Sequence, residues 1–312
     1  MPTLSHLLLG LVQALLLFAI APLVSGFSRF ERAKMHTRHG PGVFQDYRDI
    51  AKLLKRQDIT PPDASGVFRI MPVIMLATLF VIATGLPIFT RFTPIAAVGD
   101  LITIVYLFAL LRFFFSLSGI DSGSSFAGIG ASRELTMGVL VEPIMLLALF
   151  VAALLAGSTN LGAIGAAIAD GEVRSVAATV LAGCAFAFAL YIELGKLPYD
   201  MAEAEQELQE GPLTEYSGPS LALVKWAMGL KQTLVMGWFV AVFLPFGSAT
   251  ALTAGGLILG FVVFAIKLFL LFGVVALIEN SVARARFRLT PQHSWLGVGA
   301  ASLAFVFYLV GL

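Results

Sequence analysis

Residues 176–218 read VAATVLAGCAFAFALYIELGKLPYDMAEAEQELQEGPLTEYSG, an apolar run that passes directly into an acidic segment. The run is about as long as a bilayer-spanning helix requires, which is roughly 20 residues. The segment after it carries six carboxylates, more than a solvated connection needs, and carboxylates at a membrane boundary usually mark a proton or ligand path. These residues are Asp200, Glu203, Glu205, Glu207, Glu210 and Glu215.

The composition of the whole chain also indicates a membrane protein. Of 312 residues, 58% are hydrophobic and 12% are charged, and the mean hydropathy is +0.92, which separates the chain from ordinary soluble domains. Because unpaired backbone groups are too costly in lipid, long apolar runs should be helices. We therefore predict an all-α, polytopic membrane domain that covers residues 1–312. Its eight predicted spans are residues 4–24, 68–89, 101–117, 135–156, 176–194, 221–244, 253–278 and 295–312.

Basic residues predict the orientation of the spans. Connections after even-numbered spans contain only Arg91 and Arg174, whereas those after odd-numbered spans contain many more. Because basic loops stay in the cytoplasm, we expect both termini outside and the acidic loop, residues 195–219, inside. The outward connections are short and rich in Gly, Ala and Thr. The basic residues of the inward connections are Arg29, Arg32, Lys34, Arg38, Arg48, Lys52, Lys55, Arg56, Arg133, Lys196, Arg284, Arg286 and Arg288.

The first inward connection, residues 25–66, is long and basic. Within it, VFQDYRDIAKLLKR places apolar residues on one side and most charges elsewhere. This spacing predicts a short amphipathic helix in the headgroup plane. A juxtamembrane helix that only balances anionic lipid is the alternative. The apolar side is formed by Phe44, Tyr47, Ala51 and Leu54.

Three charged residues lie within or beside the third and fourth spans. Arg112 is near the inner end of its span, where it either snorkels to the surface or takes part in function. Glu134 opens the fourth span, and Glu142 lies about 12 Å deeper. Gly138 between them leaves space for a water that bridges the two carboxylates. A glutamate in lipid needs a proton or a partner, so Glu142 is either a proton relay or a neutral packing group.

Lysines in the later spans are the possible partners of these carboxylates. Lys225 and Lys231 lie near the inner end of the sixth span, where snorkelling is the simpler interpretation. Lys267 lies deeper in the seventh span. Glu279 ends that span at the inner surface.

The acidic loop itself predicts a second helix. Residues Glu193 and Asp200 lie near the membrane boundary, where we expect the fifth span to fray. In MAEAEQELQE, Glu203, Glu207 and Glu210 share one helical face, with Glu205 elsewhere. Neighbouring carboxylates raise one another's pKa, so some should titrate near neutrality. A solvated acidic helix bound to a basic partner is the alternative.

Metal and cluster sites are not expected in this chain. Its single cysteine, Cys184, allows neither a disulfide nor a cysteine-ligated cluster. The four histidines lack metal-ligand spacing. With no nucleophile constellation or phosphate-binding loop, we expect the chain to catalyse nothing by itself. The histidines are His6, His36, His39 and His293.

Four segments of the inward face resemble a known family. They read RHGPGVFQDYRDIAKLLKRQ (38–57), GASRELTMGVLVEP (130–143), LPYDMAEAEQELQEGPLTEYSG (197–218) and ENSVARARFRL (279–289). Together they resemble subunit 1 of respiratory complex I and its relatives in nickel-iron hydrogenases of the formate hydrogenlyase and hydrogenase 4 type. Where complex I has an SYE motif, Glu134 matches and Arg133 replaces an aromatic residue. This departure favours the hydrogenase branch and leaves open whether a quinone site exists.

The resemblance implies a membrane-arm subunit of a respiratory-type complex in the cytoplasmic membrane of a bacterium or archaeon. Its expected partners are hydrogenase large and small subunits, iron-sulfur electron-transfer subunits, antiporter-like membrane subunits and lipid, with no nucleic acid. A nickel-iron centre and iron-sulfur clusters are expected in those partner chains.

The resemblance also implies roles for particular residues. By similarity, a polar route to the antiporter-like subunits would include Glu134, Glu142, Glu193, Asp200, Glu203, Glu205, Glu207 and Glu210. Our hypothesis adds Arg112, Lys225 and Lys267 as charged partners in the spans. Residues expected to dock partner subunits are Arg38, Tyr47, Arg48, Lys52, Arg133, Glu215 and Tyr216.

Three functions follow as hypotheses. In the first, the chain couples hydrogen release from formate-derived electrons to proton movement, or performs the equivalent task in a quinone-reducing complex. In the second, it is a free-standing secondary transporter with Glu142 and Lys267 at its ion site, although no inverted repeat is apparent. In the third, it is a passive anchor whose charges only dock partners.

Overall fold

The computed structural model describes residues 4–311, except for the side chain of Glu205, and its regular structure there consists of helices. Eight of them are long and apolar enough to cross a membrane, which confirms the predicted class. The α-helices are α1 (Leu4–Met35), α2 (Gln45–Leu53), α3 (Gly66–Gly85), α4 (Leu101–Asp121), α5 (Ser125–Ala156), α6 (Leu161–Asp170), α7 (Val176–Glu193), α8 (Glu205–Leu208), α9 (Gly218–Phe243), α10 (Ala254–Ser281) and α11 (Thr290–Val310).

Two spans are longer than the hydropathy pattern predicts. Helix α1 continues to Met35, so the first part of the predicted loop is helical, and α5 begins at Ser125. A span predicted from hydropathy ends where polar residues begin. The helix itself can continue further, because its backbone hydrogen bonds extend through any residues with adequate helix propensity. Close packing also favours the longer α5: a Cβ placed on Gly119 of α4 would lie 3.0 Å from the Ala131 Cβ of α5. Glu134 is therefore inside a helix and does not open one.

The end of the bundle opposite the acidic loop is more structured than predicted. Helix α6 occupies the connection between α5 and α7, one of the outward connections that are short and rich in Gly, Ala and Thr in the sequence. Asn160 caps this helix, because its Oδ1 accepts hydrogen bonds from the backbone N–H groups of Gly162 and Ala163. The apolar run of α6 is too short to read as a span, which is why the prediction missed it.

Helix α9 is the most enclosed of the spans. Inside the described part of the chain, 72% of its most apolar window is buried, against 28% for α10 and 22% for α11. Trp238 of α9 stacks on Phe108 of α4 at 5.4 Å between ring centroids and meets Phe186 of α7 edge-on. A polar residue on the inner turns of α9 is therefore held in the centre of the bundle.

Helix α2 forms where the amphipathic pattern predicts a helix, but a different face is buried. It packs on α1 and α9, and Ile50 is its buried residue, whereas Phe44 and Leu54 are exposed. Arg29 of α1 pairs with Asp46 at the start of α2. The packing against α1 and α9 determines which face of α2 is buried. Helical periodicity alone does not reveal which helices a face will pack against.

Candidate functional site

Arg112 lies at the centre of a buried ion cluster. Its side chain projects from α4 between α5 and α7, and the residue is only 4% exposed. The guanidinium donates hydrogen bonds to Glu142 of α5 and Glu193 of α7, and its Nε lies 3.5 Å from Oε1 of Glu134. A charge is tolerated at such depth only when it is paired. Arg112 therefore does not snorkel, and it is the partner that Glu142 requires.

Lys231 is the second cation of this cluster. It lies on the enclosed helix α9, and its Nζ is 3.0 Å from Glu193 and 3.7 Å from Glu134. Two cations and three carboxylates give a formal charge of 2 − 3 = −1 when all five groups are ionised. The cluster therefore contains one carboxylate more than it has cations.

Gly138 makes room for the arginine. A Cβ at this position would lie 2.6 Å from the Cδ and 2.7 Å from the Nη1 of Arg112. The sequence suggested a bridging water between Glu134 and Glu142, but the guanidinium fills that space. Glycine at position 138 therefore opens space beside the two carboxylates, as predicted. Arg112 of the neighbouring helix α4 occupies that space.

A small cavity connects the cluster to the acidic loop. Its volume is about 40 Å³, enough for at least one water molecule. Arg112, Glu134 and Lys231 line one part of the wall, and Asp200 and Glu203 of the loop line another. Water in this cavity can hydrogen-bond to both groups of residues.

A second, larger cavity of about 350 Å³ adjoins the first at the basic end of the bundle, the end that carries residues 36–65, 194–217 and 282–289. It lies between α1, α2, α9 and the acidic loop. Asp200, Glu203 and Gln232 line both cavities, so these side chains form the boundary between them. A polar path thus leads from the basic end to the ion cluster.

Glu203 at this boundary has a strongly shifted pKa. Burial raises its pKa to about 8, and the nearby carboxylates of Asp200 and Glu134 act in the same direction. Lys231 and Lys196 partly offset the shift. The side chain is therefore poised to gain or lose a proton close to neutral pH. This agrees with the expectation that part of the acidic loop titrates near neutrality.

The raised pKa of Glu203 predicts a pH-dependent stability. Because the folded state binds this proton more tightly than the unfolded state, stability should fall as pH rises from about 4.5 to about 8 and then level off. Glu203→Gln removes the ionisation, so the variant should lose less thermal stability than the wild type between about pH 6 and about pH 9. Thermal unfolding of the purified protein at both pH values measures this, with Glu215→Gln in the same loop as the control. An equal pH effect in wild type and Glu203→Gln contradicts the prediction.

The acidic loop does not form the predicted helix. Within MAEAEQELQE only Glu205–Leu208 is α-helical, and Gln209 and Glu210 have positive φ angles. Gly211 turns the chain back so tightly that a Cβ there would clash with the carbonyl oxygen of Ala202. The prediction that Glu203, Glu207 and Glu210 share one helical face is therefore wrong, because packing of the loop on itself overrides the helical spacing. The prediction for the side chain of Glu205 lies outside the described residues.

Two ion pairs fix the acidic loop to neighbouring elements. Arg133 of α5 pairs with Glu207 at 2.8 Å and lies over the ring of Phe287 at 5.4 Å. Arg284, before α11, pairs with Asp200 at 2.8 Å. The acidic loop is thus held from two sides, by α5 and by the segment before α11.

The remaining predicted route residues lie outside the ion cluster. Lys225 is exposed and lines the larger cavity, as does Glu210. Lys267 donates hydrogen bonds to the carbonyls of Leu244 (2.5 Å) and Phe246, just after the end of α9. It therefore satisfies carbonyls at a helix C-terminus and does not approach Glu142.

The predicted docking residues differ in exposure. Arg38, Arg48 and Lys52 are exposed, and Glu215 is half-buried. The Tyr47 hydroxyl donates to the carbonyl of Ala19. Tyr216 is buried: it stacks on Phe68 at 4.0 Å and donates to the Phe68 carbonyl at 2.8 Å. Its side chain lies inside this chain, so it cannot present a docking surface here.

Lys231 is the site residue that the predicted set lacked. Its position near one end of an apolar span suggested a snorkelling lysine, and no local pattern distinguishes that case from a buried ion pair. The available signal was the number of carboxylates: Glu134, Glu142 and Glu193 exceed the single cation Arg112. An excess of buried negative charge requires a second cation nearby.

Comparisons with known proteins agree with this architecture. The sequence matches the family model described as NADH dehydrogenase over residues 8–310. Hydrogenase-4 component C of Escherichia coli (strain K12) is 53% identical over 303 residues, which cover 97% of this chain and 96% of that protein. Formate hydrogenlyase subunit 4 of the same organism is 54% identical over 297 residues, covering 95% and 96%. A subunit of the NADH-quinone oxidoreductase of Wolinella succinogenes is 31% identical over 265 residues, covering 76% and 78%.

A solved structure supports the fold. A chain of the membrane-bound sulfane sulfur reductase, described as an archaeal respiratory membrane complex, superimposes with a TM-score of 0.84 at 19% identity. The match covers 98% of this chain and 100% of that one. The similar proteins are named as components or subunits of larger assemblies, which supports a multisubunit context in general. This multi-pass membrane protein belongs to the NADH dehydrogenase family.

Proposed function

We propose that this chain is the membrane-arm subunit of a nickel-iron hydrogenase complex of the hydrogenase-4 or formate hydrogenlyase kind. It anchors the peripheral redox subunits and couples their electron transfer to proton movement. Identity of 53% and 54% over nearly the whole chain favours this branch over the quinone oxidoreductase branch, where identity is 31%. The proposed partners are the hydrogenase large and small subunits, iron-sulfur subunits and antiporter-like subunits, in the cytoplasmic membrane.

The observation that carries the coupling role is the polar path from the acidic loop to the ion cluster. Glu203 is poised to exchange a proton at the cavity boundary, and the cluster beyond it has one carboxylate in excess of its cations. Glu142 lies at the far side of the cluster with its side chain 31% exposed. A redox-driven change of charge beside the loop would move a proton from Glu203 toward Glu142, because the carboxylate in excess of the cations is available there to receive it.

A passive anchor is a weaker explanation of these residues. Buried ion pairs contribute little net stability, and replacing them by apolar side chains is often neutral or stabilising. An anchor therefore gains nothing from burying Arg112 and Lys231 among three carboxylates. A proton route does require such groups, because carboxylates can exchange a proton while neighbouring cations balance their charge inside the bundle.

Glu142→Gln tests the coupling role directly. In membrane vesicles that contain the assembled complex, we expect proton movement coupled to hydrogen evolution to fall by at least about tenfold, because the amide cannot accept a proton. A pH-sensitive dye reports the movement, and hydrogen is measured in parallel. Glu172→Gln, an exposed glutamate at the opposite end, serves as the control. Unchanged proton movement in an intact, hydrogen-evolving Glu142→Gln complex would refute the relay.

Affinity purification tests the proposed partners. From gently solubilised membranes, the tagged chain should bring down a large subunit with nickel-ligating cysteines and iron-sulfur subunits. A stable, functional protein purified alone would instead support a free-standing transporter. A quinone-reducing set of partners would assign the chain to the other branch of its family.

A further inference from the structure

Glu279 is a buried carboxylate that the route described above does not use. It lies near the end of α10, is 5% exposed, and belongs to none of the ion pairs within residues 4–311. Its Oε2 has no hydrogen-bond partner among the described residues. A buried carboxyl oxygen without a protein partner needs another hydrogen-bond partner, and water is the simplest one.

The larger cavity supplies space for that water. Glu279 lines this cavity of about 350 Å³ together with Glu203 and Gln232. The Oε1 of Gln232 is likewise buried without a hydrogen-bond partner in the described part of the chain. Such a volume holds several water molecules, and water is the natural partner of polar groups on a cavity wall. Glu279 and Glu203 thus border one hydrated space, and Glu203 also borders the small cavity at the ion cluster.

On the basis of the function proposed above, we infer that Glu279 is the group at which the polar route exchanges protons with water at the basic end. Its carboxyl O–H bond breaks as the proton passes to cavity water and on to Glu203. The carboxylate then takes a proton from water at the cavity mouth, so no electron is transferred and charge balances. Arg32 and Lys225 line the same cavity, so its wall carries positive charge as well as carboxyl groups.

A packing role makes a different prediction. Glutamine has nearly the same shape as glutamate and satisfies the same volume, so a structural Glu279 tolerates the amide. A proton-exchanging Glu279 does not, whereas aspartate retains the function at a shorter reach. The pair Glu279→Gln and Glu279→Asp therefore separates the two roles.

The experiment uses the whole complex reconstituted in liposomes. For Glu279→Gln we expect proton movement per hydrogen evolved to fall by at least about tenfold, and Glu279→Asp should restore most of it. Redox-difference infrared spectra should contain a carboxyl band that is lost in the glutamine variant and shifted in the aspartate variant. Glu31→Gln is the matched control. Glu31 lies near the C-terminal end of α1, as Glu279 lies near the C-terminal end of α10, but it lines neither cavity.

The outcomes separate this inference from the proposed function. Wild-type proton movement in Glu279→Gln, beside its loss in Glu142→Gln, overturns the inference alone. Wild-type movement in both variants overturns the proposed function as well. Should the glutamine variant not assemble, the aspartate variant still decides, since an unshifted carboxyl band in it contradicts the role of Glu279.

Discussion

Replacing Arg112 by leucine should prevent the chain from accumulating as a stable protein. The change leaves the buried Glu193 and the partly buried Glu134 and Glu142 with Lys231 as the remaining cation, a formal charge of 1 − 3 = −2. Removing one partner of a buried ion pair costs about 3–5 kcal/mol, and here three carboxylates lose the same partner. That loss is a large fraction of the roughly 5–15 kcal/mol that typically separates folded from unfolded protein.

Thermal unfolding and the amount of protein in the membrane measure this effect. Arg112→Lys should lie between leucine and wild type, because a single ammonium group replaces the charge but not the planar fork that reaches two helices. Arg91→Leu is the matched control: Arg91 also forms an ion pair, with Asp170 at 2.7 Å, but both side chains are partly exposed. We expect a change of about 1 kcal/mol or less there. Equal effects at Arg91 and Arg112 would show that the cluster has no special importance.

Gly138→Ala should disturb the same cluster from the opposite side. The added methyl group would stand 2.6 Å from Cδ and 2.7 Å from Nη1 of Arg112, closer than van der Waals contact allows. The guanidinium cannot move away freely, since it is bonded to Glu142 and Glu193. Overpacking of this kind costs about 1–3 kcal/mol. We also expect reduced proton movement, because the groups of the proposed route are displaced.

Gly128→Ala on the same helix is the control for this prediction. A Cβ at Gly128 meets no heavy atom within 4 Å, so the change should be neutral or stabilising by up to about 1 kcal/mol through helix propensity. Melting temperatures of the two variants, compared with the wild type, separate the steric effect from the general effect of losing a glycine in α5. A Gly138→Ala protein as stable as the Gly128→Ala protein would show that the cluster adapts at little cost.

Many of the site residues were recognisable in the sequence, but the ion pairs that they form with one another were not. Charges within apolar spans identify Arg112, Glu134 and Glu142 as residues of interest, because each is expensive in lipid. Lys267 and Lys231 illustrate the limit. Both are lysines in apolar helices, yet Lys231 pairs with Glu193 and Glu134, and Lys267 binds backbone carbonyls beyond α9. The distinction depends on which helix lies opposite, and residue spacing along one helix does not encode that.

By itself, the sequence determined the class of the protein, its eight spans, the place of α2 and the segments that carry the family resemblance, because hydropathy and local propensity act over neighbouring residues. Tertiary structure alone decided that Arg112 fills the space above Gly138, that Lys231 completes the cluster and that Gly211 folds the acidic loop back on itself. These are contacts between elements far apart in the chain. They are set by close packing and by the need to pair buried charge, and neither requirement can be evaluated before the helices are placed side by side.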